Sequence, residues 1–142
     1  MNIKLIMDTA KVPTRASEQA AGWDLYAAKG CVIEPGQTVL VHTGIAMEIP
    51  NGYFGGVYPR SGLATKKGLR LANCVGVIDS DYRGEIMVSI YNDSSMEREI
   101  EVGERVAQII FQPYSAIDNF NLVEELTATV RGEGGFGSTG SK

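Results

Sequence analysis

In the stretch Gly76-Val77-Ile78-Asp79-Ser80-Asp81-Tyr82-Arg83-Gly84-Glu85-Ile86, a short polar turn separates two apolar runs. The run before the turn, from Leu71 to Ile78, is typical of a buried or half-buried strand. After the turn, Ile86, Val88 and Ile90 alternate with other residues in the period of two that predicts a second strand. Two strands joined by so short a loop predict a β-hairpin. The acid at its tip is either a turn former or a catalytic base.

The rest of the chain repeats this pattern of short strands and turns. Alternating apolar residues recur in the ranges 3–7, 39–49, 53–58, 97–102 and 105–112, with turns rich in glycine or proline between several of them. Only the range 61–67, with Ser61 as its N-cap, predicts a short helix. Many short strands with almost no helical period predict an all-β barrel or sandwich, in a single domain over residues 1–142.

Composition limits the classes of partner. The 142 residues are 44% apolar and 21% charged, as in an ordinary globular domain. The net charge of −4 argues against a general nucleic-acid-binding protein, which needs a basic surface. Residues 1–11 are too weakly apolar for a signal peptide or a membrane span, so no membrane partner is predicted. Cys31 and Cys74 lie in apolar contexts and are predicted to be buried free thiols, which favours an intracellular, cytoplasmic location; a nuclear or viral-host compartment is left open.

The glycine-rich end of the chain, residues 131–142, is predicted to be an arm without a core of its own. Its glycine spacing approaches a dinucleotide fingerprint and a P-loop, but no helix can follow in so few residues, so both interpretations fail. One alternative is a plain flexible tail. We favour the other, a phosphate-binding arm: glycines expose backbone N–H groups, Arg131 supplies charge, and Phe136 offers a face on which a base can stack.

Three further features of the sequence give weaker indications of function. Arg60 at the start of the predicted helix favours phosphate binding, a role compatible with a capping Ser61. Asp24 lies in an apolar patch, which indicates an ionic or metal–water partner. Gln108 alone is a weak signal, and His42 alone makes no zinc site.

Taken together, these segments resemble the five ordered motifs of the homotrimeric dUTPase (dUTP diphosphatase) family. The five segments are Ala21–Leu25, Pro59–Ala64, Gly76–Glu85, Gly103–Gln108 and Arg131–Gly140. The resemblance implies a jelly-roll subunit in a homotrimer with three active sites at subunit interfaces. It also implies that the arm of one subunit, about residues 131–142, closes a site formed by the others.

The resemblance implies hydrolysis of dUTP to dUMP and diphosphate, which limits uracil incorporation into DNA and supplies dUMP for thymidylate synthesis. Asp79 would deprotonate a water for in-line attack on the α-phosphorus, and Tyr82 would pack under the deoxyribose. Uracil would be read by the hairpin backbone from Asn73 through Asp79, including Gly76, Val77 and Ile78, and by Met87 on the return strand.

The same resemblance implies how the triphosphate is held. The phosphates would contact Arg60, Ser61, Gly62 and Gln108, of which Arg60 and Gln108 also assist catalysis. The expected cofactor is Mg²⁺, held mainly by substrate phosphates, with Asp24 acting indirectly through water or by pairing with Arg60. In the arm, Phe136 would stack on uracil, while the outer phosphates would be held by Arg131, Gly137, Ser138 and Thr139.

The sequence leaves two other functions open. A dCTP deaminase or bifunctional enzyme shares the fold and would need a pocket glutamate, for which Glu85 is the nearest candidate. A dUTP-gated regulatory binding protein would use closure of the arm to control a partner.

Overall fold

The structure is a computed structural model that describes residues 1–115, 117 and 119–135. Its regular secondary structure consists almost entirely of short strands, so the predicted all-β fold class is confirmed. The strands are β1 Asn2–Leu5, β2 Trp23–Tyr26, β3 Cys31–Ile33, β4 Thr38–His42, β5 Ile45–Glu48, β6 Tyr53–Tyr58, β7 Leu69–Leu71, β8 Gly76–Ile78, β9 Met87–Asn92, β10 Arg98–Ile100 and β11 Arg105–Pro113. A π-helical turn, Leu63–Lys67, lies between β6 and β7.

All strand pairs are antiparallel. One sheet has the order β2-β11-β6-β8 and a second has the order β4-β9-β7, while β1 pairs with β5 and β10 with β3. One apolar core unites these sheets. Its fully buried members include Leu25, Ile33, Ile45, Leu69, Ile86, Ile90, Ile100 and Ile109. Burying each such side chain contributes about 1.5–3 kcal/mol, so the core fixes the strands that carry the site.

Strand β9 shows how the period of two places one face in the core and the other on the surface. Val88 and Ile90 are buried, whereas Met87 is exposed and Ser89 is half-buried. This outward face of β9 becomes the wall of a pocket described below.

The predicted hairpin is wrong in its pairing. The run from Leu71 to Ile78 is not one strand, because it breaks at Cys74, whose φ of 59° lies in the left-handed region that interrupts a strand. Before the break, β7 pairs with β9; after it, β8 leaves to pair with β6 in the other sheet. The segment therefore joins the two sheets instead of folding back on itself.

The predicted short helix is present but is not capped as expected. No side chain caps the turn within the described chain, and Gly62 takes the N-cap position instead of Ser61. The Ser61 carbonyl accepts a hydrogen bond from the hydroxyl of Thr65 at 2.7 Å, and Ser61 itself is exposed. The serine hydroxyl is thus on the surface beside Arg60, where a ligand can reach it.

The prediction that both cysteines are buried is also wrong. Cys74 is exposed and Cys31 is half-buried. Burial, and secondarily the carboxylate of Glu104, raise the pKa of the Cys31 thiol, so less of it is thiolate at neutral pH.

We expect a maleimide to label Cys74 well before Cys31 in the native protein, because the first thiol is exposed and the second is both half-buried and less ionised. Peptide mass spectrometry at several times of labelling measures the order, and labelling in denaturant provides the control. Equal native rates would contradict the placement of Cys74.

Within the described ranges, no helix is long and apolar enough to cross a membrane. The intracellular location stays a prediction.

Candidate functional site

A buried acid lies between two arginines where β2, β6 and β11 meet. The Asp24 side chain is 11% exposed; its Oδ1 lies 2.9 Å from Nε of Arg60, and its Oδ2 lies 3.3 Å from Nη1 of Arg105. The ionic partner expected for an acid in an apolar patch is therefore present, and it is the expected Arg60. Arg105 was missed, because only the pairing of β2 with β11 brings it to Asp24.

Gln108 completes this group, which we call the polar cluster: Asp24, Arg60, Arg105 and Gln108. In the strand register Gln108 stands opposite Asp24 on one side and Tyr58 on the other. Its Nε2 donates to the carbonyl of Pro59 at 3.0 Å, which fixes the chain just before Arg60. Gln108, for which the sequence alone provides only a weak indication of function, thus orders the loop that carries Arg60.

A second group of candidate residues lines a pocket beside β8, at the edge of its sheet. This edge pocket encloses about 270 Å³. Its walls are formed by Leu40, Asn73, Val77, Ile78, Asp79, Tyr82, Glu85, Met87 and Ser89. Six of the predicted binding residues are therefore brought together in one place.

Two residues of the edge pocket, Leu40 and Ser89, were not predicted from the sequence, whereas Glu85 was named as a candidate pocket glutamate. Leu40 and Ser89 are cross-strand partners of β4 and β9, and their shared face is visible only once that register is known. Glu85 ends the polar turn, and its side chain is largely buried.

Asp79 lies between two cavities. Besides the edge pocket, it lines a larger cavity of about 690 Å³ formed with Asn51, Phe54, Val77, Ser80, Asp81 and Tyr114, which we call the turn pocket. Its backbone carbonyl accepts from the N–H of Tyr82 at 3.2 Å, so the aspartate begins a tight turn. Asp79 is exposed. Its backbone forms the turn, and its carboxylate remains accessible to a ligand.

Asp79 and the polar cluster lie at different positions along β6. Asp79 follows Ile78, which pairs with Gly55, whereas Arg60 follows the last residue of β6 by two positions. At about 3.3 Å per residue, Asp79 and Arg60 are separated by roughly 15–20 Å along the strand. Within one chain, Asp79 and the polar cluster are therefore separate groups.

The described part of the arm is exposed except for Gly134, which is half-buried. Arg131 donates from Nε to the carbonyl of Gly134 at 2.9 Å, a bond within the arm itself. The predicted binding residues Phe136, Gly137, Ser138 and Thr139 lie outside the described residues.

No group of three or more histidine, cysteine, aspartate or glutamate side chains that could hold a metal ion occurs in the described part of the chain. Both oxygens of Asp24 already face arginines. An indirect role of Asp24 toward a metal, through water, is compatible with these ion pairs.

Comparison with known proteins gives one consistent result. Residues 8–140 match the family model described as dUTPase. The deoxyuridine 5'-triphosphate nucleotidohydrolase of Escherichia phage T5 is 48% identical over 138 residues, covering 92% of this chain and 93% of that protein. The enzyme of the same name from Corynebacterium jeikeium is 52% identical over 132 residues, covering 91% and 85%.

Solved structures agree in fold. A mutant dUTPase of Staphylococcus bacteriophage 80alpha with dUpNHpp superposes with a TM-score of 0.91 at 30% identity, covering 98% of this chain and 97% of that one. A mutant dUTPase of phage phi11 of S. aureus, described as coordinating a structural Mg(II) ion, gives a TM-score of 0.83 at 25% identity, covering 89% and 98%.

The fold and the site define a jelly-roll protein with an arginine-rich polar cluster and a polar pocket at a sheet edge. Its five motif segments run in one order along nearly the whole chain. The chain belongs to the dUTPase family.

Proposed function

We infer that this member of the dUTPase family is a dUTP diphosphatase, a hydrolase of nucleotide metabolism. The observation that carries this function is the edge pocket, where an exposed sheet edge, an accessible aspartate and a tyrosine converge. The products are dUMP and diphosphate, so the reaction supplies dUMP for thymidylate synthesis and limits uracil in DNA.

The edge strand β8 suits a uracil ring. Its outer side carries N–H and C=O groups that no strand pairs with in the described chain, and such groups can bond the edge of a base as they would bond another strand. Val77 is 62% exposed at this edge and leaves apolar surface for the ring. Polar mismatches at such a site discriminate strongly between bases, because an unsuitable base leaves buried donors unpaired.

Asp79 is the general base for the attacking water. The rate of this step depends on placing the water and the α-phosphorus in line. The polar cluster holds the phosphates through Arg60, Ser61, Gly62 and Gln108, while Asp24 orients Arg60. Hydrolysis of a phosphoanhydride needs this positioning and charge more than covalent chemistry.

When held by the substrate phosphates, Mg²⁺ would supply the charge neutralisation that an acidic chain lacks. The arm contributes Arg131 and its glycine N–H groups to the outer phosphates, and Phe136 to the base. Its closure excludes bulk water.

Each site is built from several chains of a homotrimer. The separation of Asp79 from Arg60 within one chain supports this arrangement. So does the end of the chain, where Leu122 and Val130 are fully exposed and Phe120 is 93% exposed, as expected of a segment that lies on another subunit.

Mixed assembly tests the shared site. Asp79→Asn and Arg60→Ala chains, each nearly inactive alone, are refolded together. If the two residues come from different chains, about a quarter of the sites combine intact copies of both, and that share of activity returns. A site within one chain gives no recovery, and light scattering checks the mass of the assembly.

Substrate choice tests the activity itself. Diphosphate release is measured with dUTP, dTTP, dCTP and UTP, and dUTP is expected to be preferred by a large factor. Equal rates on all four would overturn the proposed specificity. Ammonia is measured with dCTP in parallel, because a deaminase needs a free glutamate, whereas the Glu85 carboxylate is engaged by His42 and the N–H of Gly44.

Gly22→Ala is expected to lower kcat/KM for dUTP by roughly 10–100-fold through displacement of Gln108. A Cβ at residue 22 would overlap Oε1 of Gln108 and lie 3.1 Å and 3.2 Å from its Cδ and Cβ. Because β11 fixes the Gln108 Cβ, the side chain must turn away and release the Pro59 carbonyl.

The control is the same change made in a Gln108→Ala chain. Most of the overlapping atoms are then gone, so Gly22→Ala should cost much less. Losses of equal size in both backgrounds would show that Gly22 acts elsewhere.

A further inference from the structure

The carboxylate of Glu85 is held from two sides, by the last residue of β4 and by the segment that joins β4 to β5. Its Oε1 accepts from the backbone N–H of Gly44 at 2.8 Å, and its Oε2 lies 2.9 Å from Nδ1 of His42. An ionised carboxylate only accepts hydrogen bonds, so Nδ1 of His42 carries the proton. With its side chain 15% exposed, Glu85 is anchored like a structural residue although it lines the edge pocket.

The same residue holds Tyr82 through its backbone. The Tyr82 hydroxyl donates to the Glu85 carbonyl at 3.0 Å. The ring lies so close to Gly84 that a Cβ there would overlap the hydroxyl oxygen and lie 2.6 Å from Cζ. The position of the tyrosine ring therefore depends on the backbone of Gly84 and Glu85.

We propose that Glu85 is a positioning residue for sugar selection: by tying residues 84 and 85 to the β4–β5 connection, it fixes the Tyr82 ring and so sets the preference for deoxyribose over ribose. The inference rests on the proposed function, in which Tyr82 packs under the sugar. A Tyr82 ring held in one position under the sugar leaves no space for the 2′-hydroxyl of ribose. A ring that can move away admits this hydroxyl.

The neighbouring hydrogen bonds confine this effect to the turn. Ile86 donates its N–H to the Ile45 carbonyl at 2.9 Å, and its own carbonyl accepts from the Thr43 hydroxyl. These bonds do not involve the Glu85 side chain, so the return strand stays attached when that side chain is removed. Only the turn that carries Tyr82 gains freedom.

The test compares kcat/KM for dUTP and UTP in wild type, Glu85→Ala and Glu85→Gln. We expect Glu85→Ala to reduce the dUTP:UTP ratio about tenfold, the size expected when one hydrogen bond no longer orders a ring, with the change mainly in KM for UTP. Glu85→Gln should restore part of the ratio, because its amide oxygen can still accept from the N–H of Gly44, and its NH2 can donate to Nδ1 of His42 once the imidazole carries its proton on Nε2 instead. Glu48→Ala, an exposed glutamate on β5, is the matched control and should leave the ratio unchanged.

Gly84→Ala provides a second route if Glu85→Ala folds poorly. It pushes the Tyr82 ring directly and leaves the Glu85 carboxylate bound, so it should reduce the ratio as well. A Glu85→Ala protein that melts at a lower temperature but keeps the wild-type ratio overturns the inference and leaves a purely structural glutamate. A wild-type protein that hydrolyses no dUTP overturns the proposed function, and this inference with it.

Discussion

Asp79→Asn is expected to lower kcat for dUTP by about 10²–10⁴-fold while substrate binding is retained, because an amide of the same shape cannot accept the proton of the attacking water. The turn should survive the change, since the bond that begins it uses the Asp79 backbone carbonyl. Diphosphate release measures turnover, and calorimetry with a non-hydrolysable dUTP analogue measures binding.

Asp81→Asn is the matched control. Both aspartates line the turn pocket and the substitution removes the same charge, but only Asp79 also lines the edge pocket. Asp81→Asn should therefore keep most of the activity. Full turnover by Asp79→Asn, or an equal loss in both variants, would refute the assignment of the base.

The contrast between the two aspartates shows what structure adds to sequence. In the sequence, Asp79 and Asp81 are equally polar members of one turn, and only the family motif favours the first. The two cavities distinguish the two aspartates, because only Asp79 also lines the edge pocket. A catalytic base must reach the pocket in which the uracil ring and the sugar are proposed to bind.

The strands were predictable wherever one face is buried. β6 was predicted with the observed bounds, and the alternating run from 39 to 49 becomes β4 and β5, interrupted at Gly44 as expected. Burial imposes a period of two on the sequence, so the pattern is local and readable.

Pairing was less predictable. Adjacent strands separated by a short polar turn normally pair, but Cys74 adopts a left-handed conformation that nothing in its side chain signals, and β8 crosses to the other sheet. The same limit hid Arg105 and Leu40, because each reaches its site through a partner strand distant in sequence.

Deleting residues 131–142 is expected to lower kcat for dUTP by at least about 10²-fold and to leave the assembly intact. The deletion removes Arg131, a run of backbone N–H donors and the aromatic Phe136, which together complete the phosphate shell and exclude water. The described strands and the described apolar core lie before residue 131, so folding should not change. Light scattering measures the assembly, thermal melting measures the stability of the fold, and diphosphate release measures turnover.

Two graded variants show which part of the arm acts. Removing only residues 141–142 is the control and should be nearly neutral, because both lie beyond the residues proposed to touch substrate. Arg131→Ala alone should produce an intermediate loss that added salt does not deepen much, since the missing charge is the one that salt would screen. A protein truncated at residue 130 that still turns over at the wild-type rate would eliminate the arm from the mechanism, and the shell around the triphosphate would then have to come from the polar cluster and Mg²⁺ alone.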